Sequence, residues 1–246
     1  MKDIAIKLKN VSKRFIDREV LKNISLEIPK GDSFVLIGKS GNGKSVLLKS
    51  IIGVLQPEAG EIFLNGVNVS KLSQAKRINF NREIGVLFQG SALFDSLNIL
   101  QNVVFGVSVH RQLTLAEAKK LAIENLELVG LNESVLYLYP AELSGGMQKR
   151  VAIARQIAPD PKILFFDEPT SGLDPEMSDT INNLIVNTAK HLEATSFIIT
   201  HDMVSAKRIA NHIALIESGE IVWQGMPEEL KKSNHTTIIN FNKYHN

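Results

Sequence analysis

The sequence contains no cysteine among its 246 residues. It therefore forms neither a disulfide framework nor a thiolate metal site, which fits a reducing compartment. The formal net charge is only +2, so the composition gives no reason to expect binding to nucleic acid or to an anionic membrane surface. No apolar run approaches the ~20 residues that a membrane-spanning helix needs. Residues 1–4 lead into strand-like sequence rather than into a signal peptide.

The composition and the N-terminal pattern point to a globular protein that begins with antiparallel strands. Hydrophobic residues make up 44% of the chain and charged residues 22%, which predicts a full core in one large domain or two small ones. Apolar and polar residues alternate over 4–9 and again over 20–28, as in half-buried strands. Asn65-Gly66 suits a tight hairpin turn between 61–64 and 67–69.

The strongest single pattern is Gly38-Lys39-Ser40-Gly41-Asn42-Gly43-Lys44-Ser45, the G-x-x-x-x-G-K-S of a phosphate-binding P-loop. The apolar run 34–37 before it predicts a buried strand, and 44–52 after it predicts a helix. Glycines let the backbone approach phosphates closely, and the helix N-terminus adds partial positive charge. We expect Lys44 to reach the β- and γ-phosphates and the Ser45 hydroxyl to bind Mg²⁺. The alternative is a Gly-rich turn without a ligand.

Two carboxylates follow a second buried strand. The apolar run 163–166 ends in Asp167 and Glu168, and with a P-loop upstream this arrangement predicts that Asp167 holds Mg²⁺ and that Glu168 polarises an attacking water. The alternative is two solvated acids at a strand end. Gln89 directly follows the apolar strand 84–88, which is the position where ligands bind in open α/β sheets.

Three further residues leave two interpretations open on local sequence alone. Phe15, in the first loop, is either a stacking platform for adenine or an aromatic side chain folded back on the core. Ser144 caps a helix from Gly146 or Met147 to about Ala158; its glycine-rich start is either an anion site or an ordinary cap. His201, at the tip of the strand 196–200, either hydrogen-bonds a γ-phosphate or is structural.

Helical patterns dominate between Gly90 and about Arg155. Thr114 to Glu117 is a capping box that begins one helix, and Asp174 with Pro175 begins another that runs to about Leu192. A closing hairpin and a short helix from Pro227 follow. The tail from Ser233 is polar, with an apolar patch formed by Ile238, Ile239 and Phe241. Three alternatives stay open for this tail: it is disordered, it docks on its own domain, or it reaches a partner.

Taken in order, these segments resemble the nucleotide-binding domain of ABC transporters over residues 1–232. The resemblance implies an α/β fold of the P-loop NTPase (RecA-like) class, with a parallel-sheet core, an N-terminal antiparallel β subdomain, an inserted α-helical subdomain at 90–155 and a tail at 233–246. The matching segments are the A-loop (Phe15), Walker A (Gly38 to Ser45), the Q-loop (Gln89), the signature (Leu143 to Met147), Walker B (Ile163 to Glu168), the D-loop (Ser171 to Asp174) and the H-loop (His201).

The same resemblance implies ATP and Mg²⁺ as cofactors and assigns roles to individual residues. Phe15 stands where tyrosine is common, and Met147 stands where glutamine is common. The implied catalytic residues are Glu168, His201, Gln89 and Lys44. The implied metal ligands are Ser45, Gln89 and Asp167. The implied ATP contacts are Phe15, Gly38, Lys39, Ser40, Gly41, Asn42, Gly43, Lys44, Ser45, Val46, Ser144, Gly145 and Gly146.

The family also implies partners. ABC domains form head-to-tail dimers, so Ser144 to Gly146 of one chain would close on the γ-phosphate held at Lys44 of the other. With one such domain per chain, we expect a homodimer that drives integral-membrane permease subunits, with Gln89 and the helical subdomain passing closure to them. The expected location is peripheral, at the cytoplasmic face of the inner (plasma) membrane, and no nucleic acid is expected.

A narrower resemblance lies in residues 85–103. Ala92 to Leu97 stand where many ABC importers carry a proline, and this stretch is similar to the Mla/Mce-type (Mkl-like) phospholipid transport ATPases. It implies a permease of that type and an Mce-domain protein as partners. The alternatives are an importer of an amino acid or a nucleotide-like molecule, a non-transport ABC ATPase acting on ribosomes or DNA, and a regulatory subunit without hydrolysis. Glu168 and His201 argue against the last of these.

Overall fold

The computed structural model describes residues 3–233 and 235–239. Within these residues the strands are β1 (Ile4–Phe15), β2 (Arg18–Pro29), β3 (Ser33–Ile37), β4 (Ala59–Leu64), β5 (Val67–Asn68), β6 (Ile84–Leu87), β7 (Ile163–Asp167), β8 (Thr195–Thr200), β9 (His212–Glu217) and β10 (Glu220–Gly225). The α-helices are α1 (Lys44–Ile51), α2 (Gln74–Phe80), α3 (Ile99–Ser108), α4 (Leu115–Leu128), α5 (Gly145–Ile157), α6 (Pro175–His191) and α7 (Met203–Ile209).

The chain divides into two compact units, of which the first comprises the described residues up to Asn81 and those from Thr195 onward. One part of this unit is an antiparallel sheet in the order β2-β1-β4-β5. The other part has the order β10-β9-β3-β8, in which β3 pairs in parallel with both β8 and β9. The predicted combination of an N-terminal antiparallel sheet with parallel α/β strands is therefore confirmed.

Strand β3 lies at the centre of the parallel part of this unit. Its residues from Phe34 to Ile37 are all buried, as a strand with neighbours on both sides requires. Ile37 pairs with Thr200 on one side and with Leu215 on the other. The carboxyl end of β3, where the P-loop begins, is therefore fixed by two flanking strands.

The hairpin between β4 and β5 forms as predicted. Asn65 and Gly66 have φ angles of 47° and 82°, and positive φ at both central positions is the signature of a type I′ turn. Helix α2, by contrast, is missing from the sequence-based prediction. None of its residues is buried, so it has no apolar face from which a helical period could be read.

The second unit spans Arg82–Ala194 and contains β6, β7 and helices α3 to α6. The two strands are parallel neighbours. Helix α4 begins at the predicted capping box, since the Thr114 amide donates to Glu117 Oε2 at 2.8 Å. Helix α5 begins at Gly145, one residue before the predicted range, because Ser144 is its N-cap. The predicted helical segment 90–155 holds α3, α4 and most of α5.

The described part of the C-terminal tail docks on the first unit. Ile238 is fully buried, and the Thr237 hydroxyl donates to Glu217 Oε1 at 2.9 Å. Of the three alternatives for the tail, docking is therefore the one that residues 235–239 adopt. Phe241 lies outside the described residues. Among the helices that are described, none combines the length and the apolar character needed to cross a bilayer.

Candidate functional site

The P-loop wraps closely against β9. A Cβ on Gly38 would lie 2.5 Å from the carbonyl oxygen of Ile216. Gly43 has a φ of 100°, and a Cβ there would lie 2.9 Å from the carbonyl oxygen of Val20. Both positions therefore require glycine, the first for space and the second also for its backbone conformation.

Lys44 arches back over the loop that precedes it. Its Nζ donates to the carbonyl oxygens of Gly38 at 2.6 Å and Lys39 at 3.2 Å, and the residue is buried. Helix α1 begins at Lys44, has no acidic residue in its first turn, and receives no side-chain cap from Gly43. The ammonium group and the start of the helix therefore lie beside the same loop, which is the arrangement that the predicted phosphate site requires.

Asn42 ties the middle of the loop to β9, and sequence reasoning gave it no separate role. Its side-chain amide donates to the carbonyl oxygen of Ile216 at 3.2 Å, the same carbonyl that Gly38 approaches. Any residue fits the pattern at this position, so the spacing of the motif carries no signal for this contact.

His201 reaches the same edge of the first unit as the P-loop. Because Ile37 pairs with Thr200 in parallel strands, Gly38 and His201 follow neighbouring strand ends. His201 is exposed, and its backbone position is fixed by Asp202, whose amide donates to the Thr200 hydroxyl at 3.0 Å and whose side chain caps α7.

Phe15 is the last residue of β1 rather than part of a loop, because the strand extends further than its alternating pattern. The side chain is 42% exposed, and Lys13 Nζ lies 5.2 Å from its ring centroid. The aromatic ring is therefore partly exposed and does not fold back on the core.

In the second unit, β6 and β7 bring Gln89 and the two carboxylates to one edge. Leu87 pairs with Phe166 in parallel, so Gln89 and Asp167 lie near neighbouring strand ends. Glu168 has a φ of 50°, a conformation that costs a non-glycine residue about 1–2 kcal/mol and that clusters at functional sites. The Gln89 side-chain amide donates to Ser171 Oγ at 3.2 Å.

The N-terminus of α5 is open to solvent. Ser144 and Gly145 are exposed, and Ser144 Oγ accepts a hydrogen bond from the Met147 amide at 3.3 Å. Gly146 packs against α6, since a Cβ there would lie 2.8 Å from the sulfur of Met177. The side chain of Ser144 is a cap, as predicted, and the helix end at Ser144 and Gly145 is exposed.

The loop after Gln89 is organised by Asn102, a fully buried residue that sequence reasoning missed. Its Nδ2 donates to the carbonyl oxygens of Phe94, Leu97 and Asn98 at 3.1, 2.9 and 3.1 Å, and its Oδ1 accepts from the Phe94 amide at 2.9 Å. An asparagine among the apolar residues Ile99, Leu100, Val103 and Val104 of α3 was the signal that could have revealed this role.

A glycine-rich loop between a buried strand and a helix, with a lysine turned over it, defines a P-loop nucleotide-binding protein. The family model described as "ABC transporter" matches residues 21–171, more than half of the chain. The chain belongs to the ABC transporter family.

Several curated relatives are similar over nearly the whole chain. Glutamine transport ATP-binding protein GlnQ of Escherichia coli is 41% identical over 228 residues, covering 93% of this chain and 94% of its own. Intermembrane phospholipid transport system ATP-binding protein MlaF of Haemophilus influenzae is 36% identical over 238 residues, covering 97% of this chain and 90% of its own length. The probable ribonucleotide transport ATP-binding protein Mkl of Mycobacterium leprae is also 36% identical over 238 residues; this chain spans 68% of its length.

Solved structures show the same fold. The ATP-binding cassette MJ0796, a dimer bound to ADP and phosphate in a post-hydrolysis state, has a TM-score of 0.82 and 31% identity, covering 90% of this chain and 98% of its own. CbiO1 of Clostridium perfringens, part of the ABC transporter complex cbiONQ, has a TM-score of 0.85 and 29% identity over the full length of both chains. The α/β fold is that of an ABC ATPase, and the chain is an ATP-binding ATPase of this family.

Asn42→Ala is expected to weaken ATP affinity, because it removes the side-chain hydrogen bond that holds the P-loop against Ile216. A neutral hydrogen bond contributes about 0.5–1.5 kcal/mol, so the Kd should rise about 2- to 10-fold. Asn42→Asp, which keeps the size but turns a donor into an anion near a carbonyl, should raise the Kd further. Titration with a fluorescent ATP analogue measures both, and an unchanged Kd in Asn42→Asp would contradict the assigned contact.

Proposed function

We propose that residues 1–232 act as one nucleotide-binding domain, with the helical subdomain at 90–155, and that two copies close head-to-tail around two ATP molecules. In each site Lys44 of one chain would hold the β- and γ-phosphates. Ser144, Gly145 and Gly146 of the other chain would contact the γ-phosphate. The observation that carries this proposal is the exposed N-terminus of α5, whose helix end and serine hydroxyl suit an anion.

Within each site we assign the hydrolytic step to the carboxyl edge of β7. Glu168 would accept a proton from the attacking water, and its left-handed backbone is a conformation that clusters at functional sites. His201 would hydrogen-bond the γ-phosphate, and Gln89 would orient the water and the metal. Phe15 would stack on adenine through its exposed face.

The donor chemistry fits a magnesium ion. Mg²⁺ is usually bound by one or two carboxylates together with substrate phosphates and waters, rather than by an all-protein cage. Among the described residues, no group of three or more His, Cys, Asp or Glu side chains is placed to hold a metal ion by itself. A hydroxyl from Ser45, an amide oxygen from Gln89 and the carboxylate of Asp167 would complete the shell left by the phosphates. The ion would neutralise charge on the transferring phosphoryl group.

We place the dimer on integral-membrane permease subunits, at the cytoplasmic face of the inner (plasma) membrane. The support is membership of the ABC transporter family and the likeness to CbiO1, which is part of the cbiONQ complex. The loop from Gly90 to Asn98 carries the exposed aromatic Phe94 and would be the part that meets the permease. Closure of the dimer would then move the permease.

For the transported substrate we propose phospholipid, with an Mla/Mce-type permease and an Mce-domain protein as partners. The proline-free loop Ala92 to Leu97 and the similarity to MlaF over 97% of the chain support this substrate. A second candidate is a small solute such as an amino acid or a nucleotide-like molecule, favoured by 41% identity to GlnQ and 36% to Mkl.

Glu168→Gln is expected to bind ATP and to form a stable dimer while its turnover falls by at least about 100-fold, because general-base catalysis contributes about 10²- to 10⁴-fold. Lys44→Ala should bind ATP so weakly that no dimer forms. Phosphate release and sedimentation velocity with and without MgATP measure these outcomes. Hydrolysis by Glu168→Gln at a rate near that of the wild type would show that another group is the base.

The substrate is tested by affinity purification of the tagged wild-type chain from detergent-solubilised native membranes, with Lys44→Ala as the control for nucleotide-dependent partners. Mass spectrometry should find a multi-span permease, an Mce-domain protein and enriched phospholipid. A permease accompanied by a solute-binding protein without enriched lipid would overturn the phospholipid assignment and favour a small polar solute.

A further inference from the structure

Lys149 is a buried lysine in the second turn of α5, the helix that begins at the signature motif. It is 6% exposed, and its Nζ donates to the backbone carbonyl oxygen of Gln89 at 2.5 Å. Burial lowers the pKa of the Lys149 ammonium. Among residues 3–233 and 235–239 no carboxylate forms an ion pair with it. The contact with the Q-loop backbone is therefore the main compensation for burying this side chain.

The same helix holds the rest of the segment that contains Gln89. Gln156 Oε1 accepts a hydrogen bond from the Val86 amide at 3.1 Å. Arg155 donates to the carbonyl oxygens of Ala92 at 2.8 Å and Ser91 at 3.2 Å, and its guanidinium lies 5.6 Å from the centroid of the Phe94 ring. Gln89 lies in sequence between Val86 and Ser91, and Lys149 is the residue of α5 that contacts it.

Gln89 is thus held from two directions. Its main-chain carbonyl accepts from Lys149 on α5, and its side-chain amide donates to Ser171 in the loop before α6. The main-chain contact fixes the peptide plane from which the side chain leaves. A shift of the carbonyl by about 1 Å would displace the side-chain amide by at least as much, and misplacement on that scale is costly for catalysis.

We infer that Lys149 is a positioning residue, which fixes Gln89 to the signature helix so that movement of the Ser144–Gly146 end of α5 is carried to the Q-loop. This inference rests on the proposed function of Gln89 and of the α5 N-terminus. Lys149 touches neither nucleotide nor metal in this assignment. It acts through the Gln89 carbonyl, while Arg155 keeps the following residues in place when Lys149 is altered.

Lys149→Met tests the role, because methionine keeps a similar length and removes the donor. Because the lost hydrogen bond has a charged donor, we expect kcat to fall about 10- to 100-fold while the KM for ATP changes less than about 3-fold. Lys149→Arg, which retains a donor, should restore kcat to within about 3-fold of the wild type. Lys162→Met is the matched control, because the Lys162 side chain is exposed and, within the described residues, forms an ion pair only with Asp160. This variant should leave kcat and KM unchanged.

Hydrogen–deuterium exchange gives a second readout that does not depend on activity. Amides in peptides covering 88–93 should exchange faster in Lys149→Met, return to normal in Lys149→Arg and stay normal in Lys162→Met. Peptides covering 38–46 should be unaffected in all three variants. If Lys149→Met does not fold, Lys149→Gln, which has a shorter neutral donor, replaces it in both measurements. We again expect a lower kcat and faster exchange at 88–93.

Turnover by the wild type and its loss in Glu168→Gln are measured first. These measurements test the proposed ATPase function separately from the positioning role of Lys149. If the wild type hydrolyses ATP and Lys149→Met keeps normal kcat and normal exchange, the positioning role is wrong and the proposed function stands. If the wild type does not hydrolyse ATP, the proposed function fails, and unchanged exchange at 88–93 in Lys149→Met would overturn the contact as well.

Discussion

The carbonyl group of Ile216, near the end of β9, is the contact on which the phosphate-binding loop is built. Gly38 approaches it so closely that any side chain would collide with it, and the Asn42 amide donates to it. The loop is thereby held at its first residue and at its middle, while α1 fixes its end. A loop fixed at three places presents its N–H groups in one arrangement, and pre-organisation of this kind is what lets binding energy act on phosphate.

Helix α5 has the corresponding role in the second unit. Its N-cap Ser144 and its first residue Gly145 are exposed. Its later turns hold β6 and the Q-loop through Lys149, Arg155 and Gln156. One helix thus carries both the exposed end proposed to receive an anion and the anchors of Gln89. In the proposed mechanism, a ligand that moves the exposed end would also move the anchored segment.

The elements that could be predicted from the sequence are those that depend on interactions between residues close together in the chain. The P-loop strand and helix, the Asn65-Gly66 turn and the Thr114 capping box follow from glycine conformation, apolar period and capping chemistry, and the structure confirms them. Helix α2 was missed because none of its residues is buried.

The contacts of Asn42, Asn102 and Lys149 were missed for a different reason. Their side chains bond backbone groups that lie between 4 and 174 positions away. Side-chain to backbone bonds of that kind leave no periodic trace in a sequence. Substrate identity cannot be read from local sequence either, since relatives that are named for different substrates are similarly identical to this chain.

The most direct test of the account is whether the P-loop of one chain meets the signature helix of another only when ATP is bound. Because the chain has no cysteine, Lys39→Cys and Gly145→Cys, both at exposed positions, can be introduced into separate Glu168→Gln chains and mixed with a short bismaleimide. The account predicts a cross-linked dimer in the mixture with MgATP and little product from either variant alone. Equal cross-linking without nucleotide, or none at saturating ATP, would contradict it.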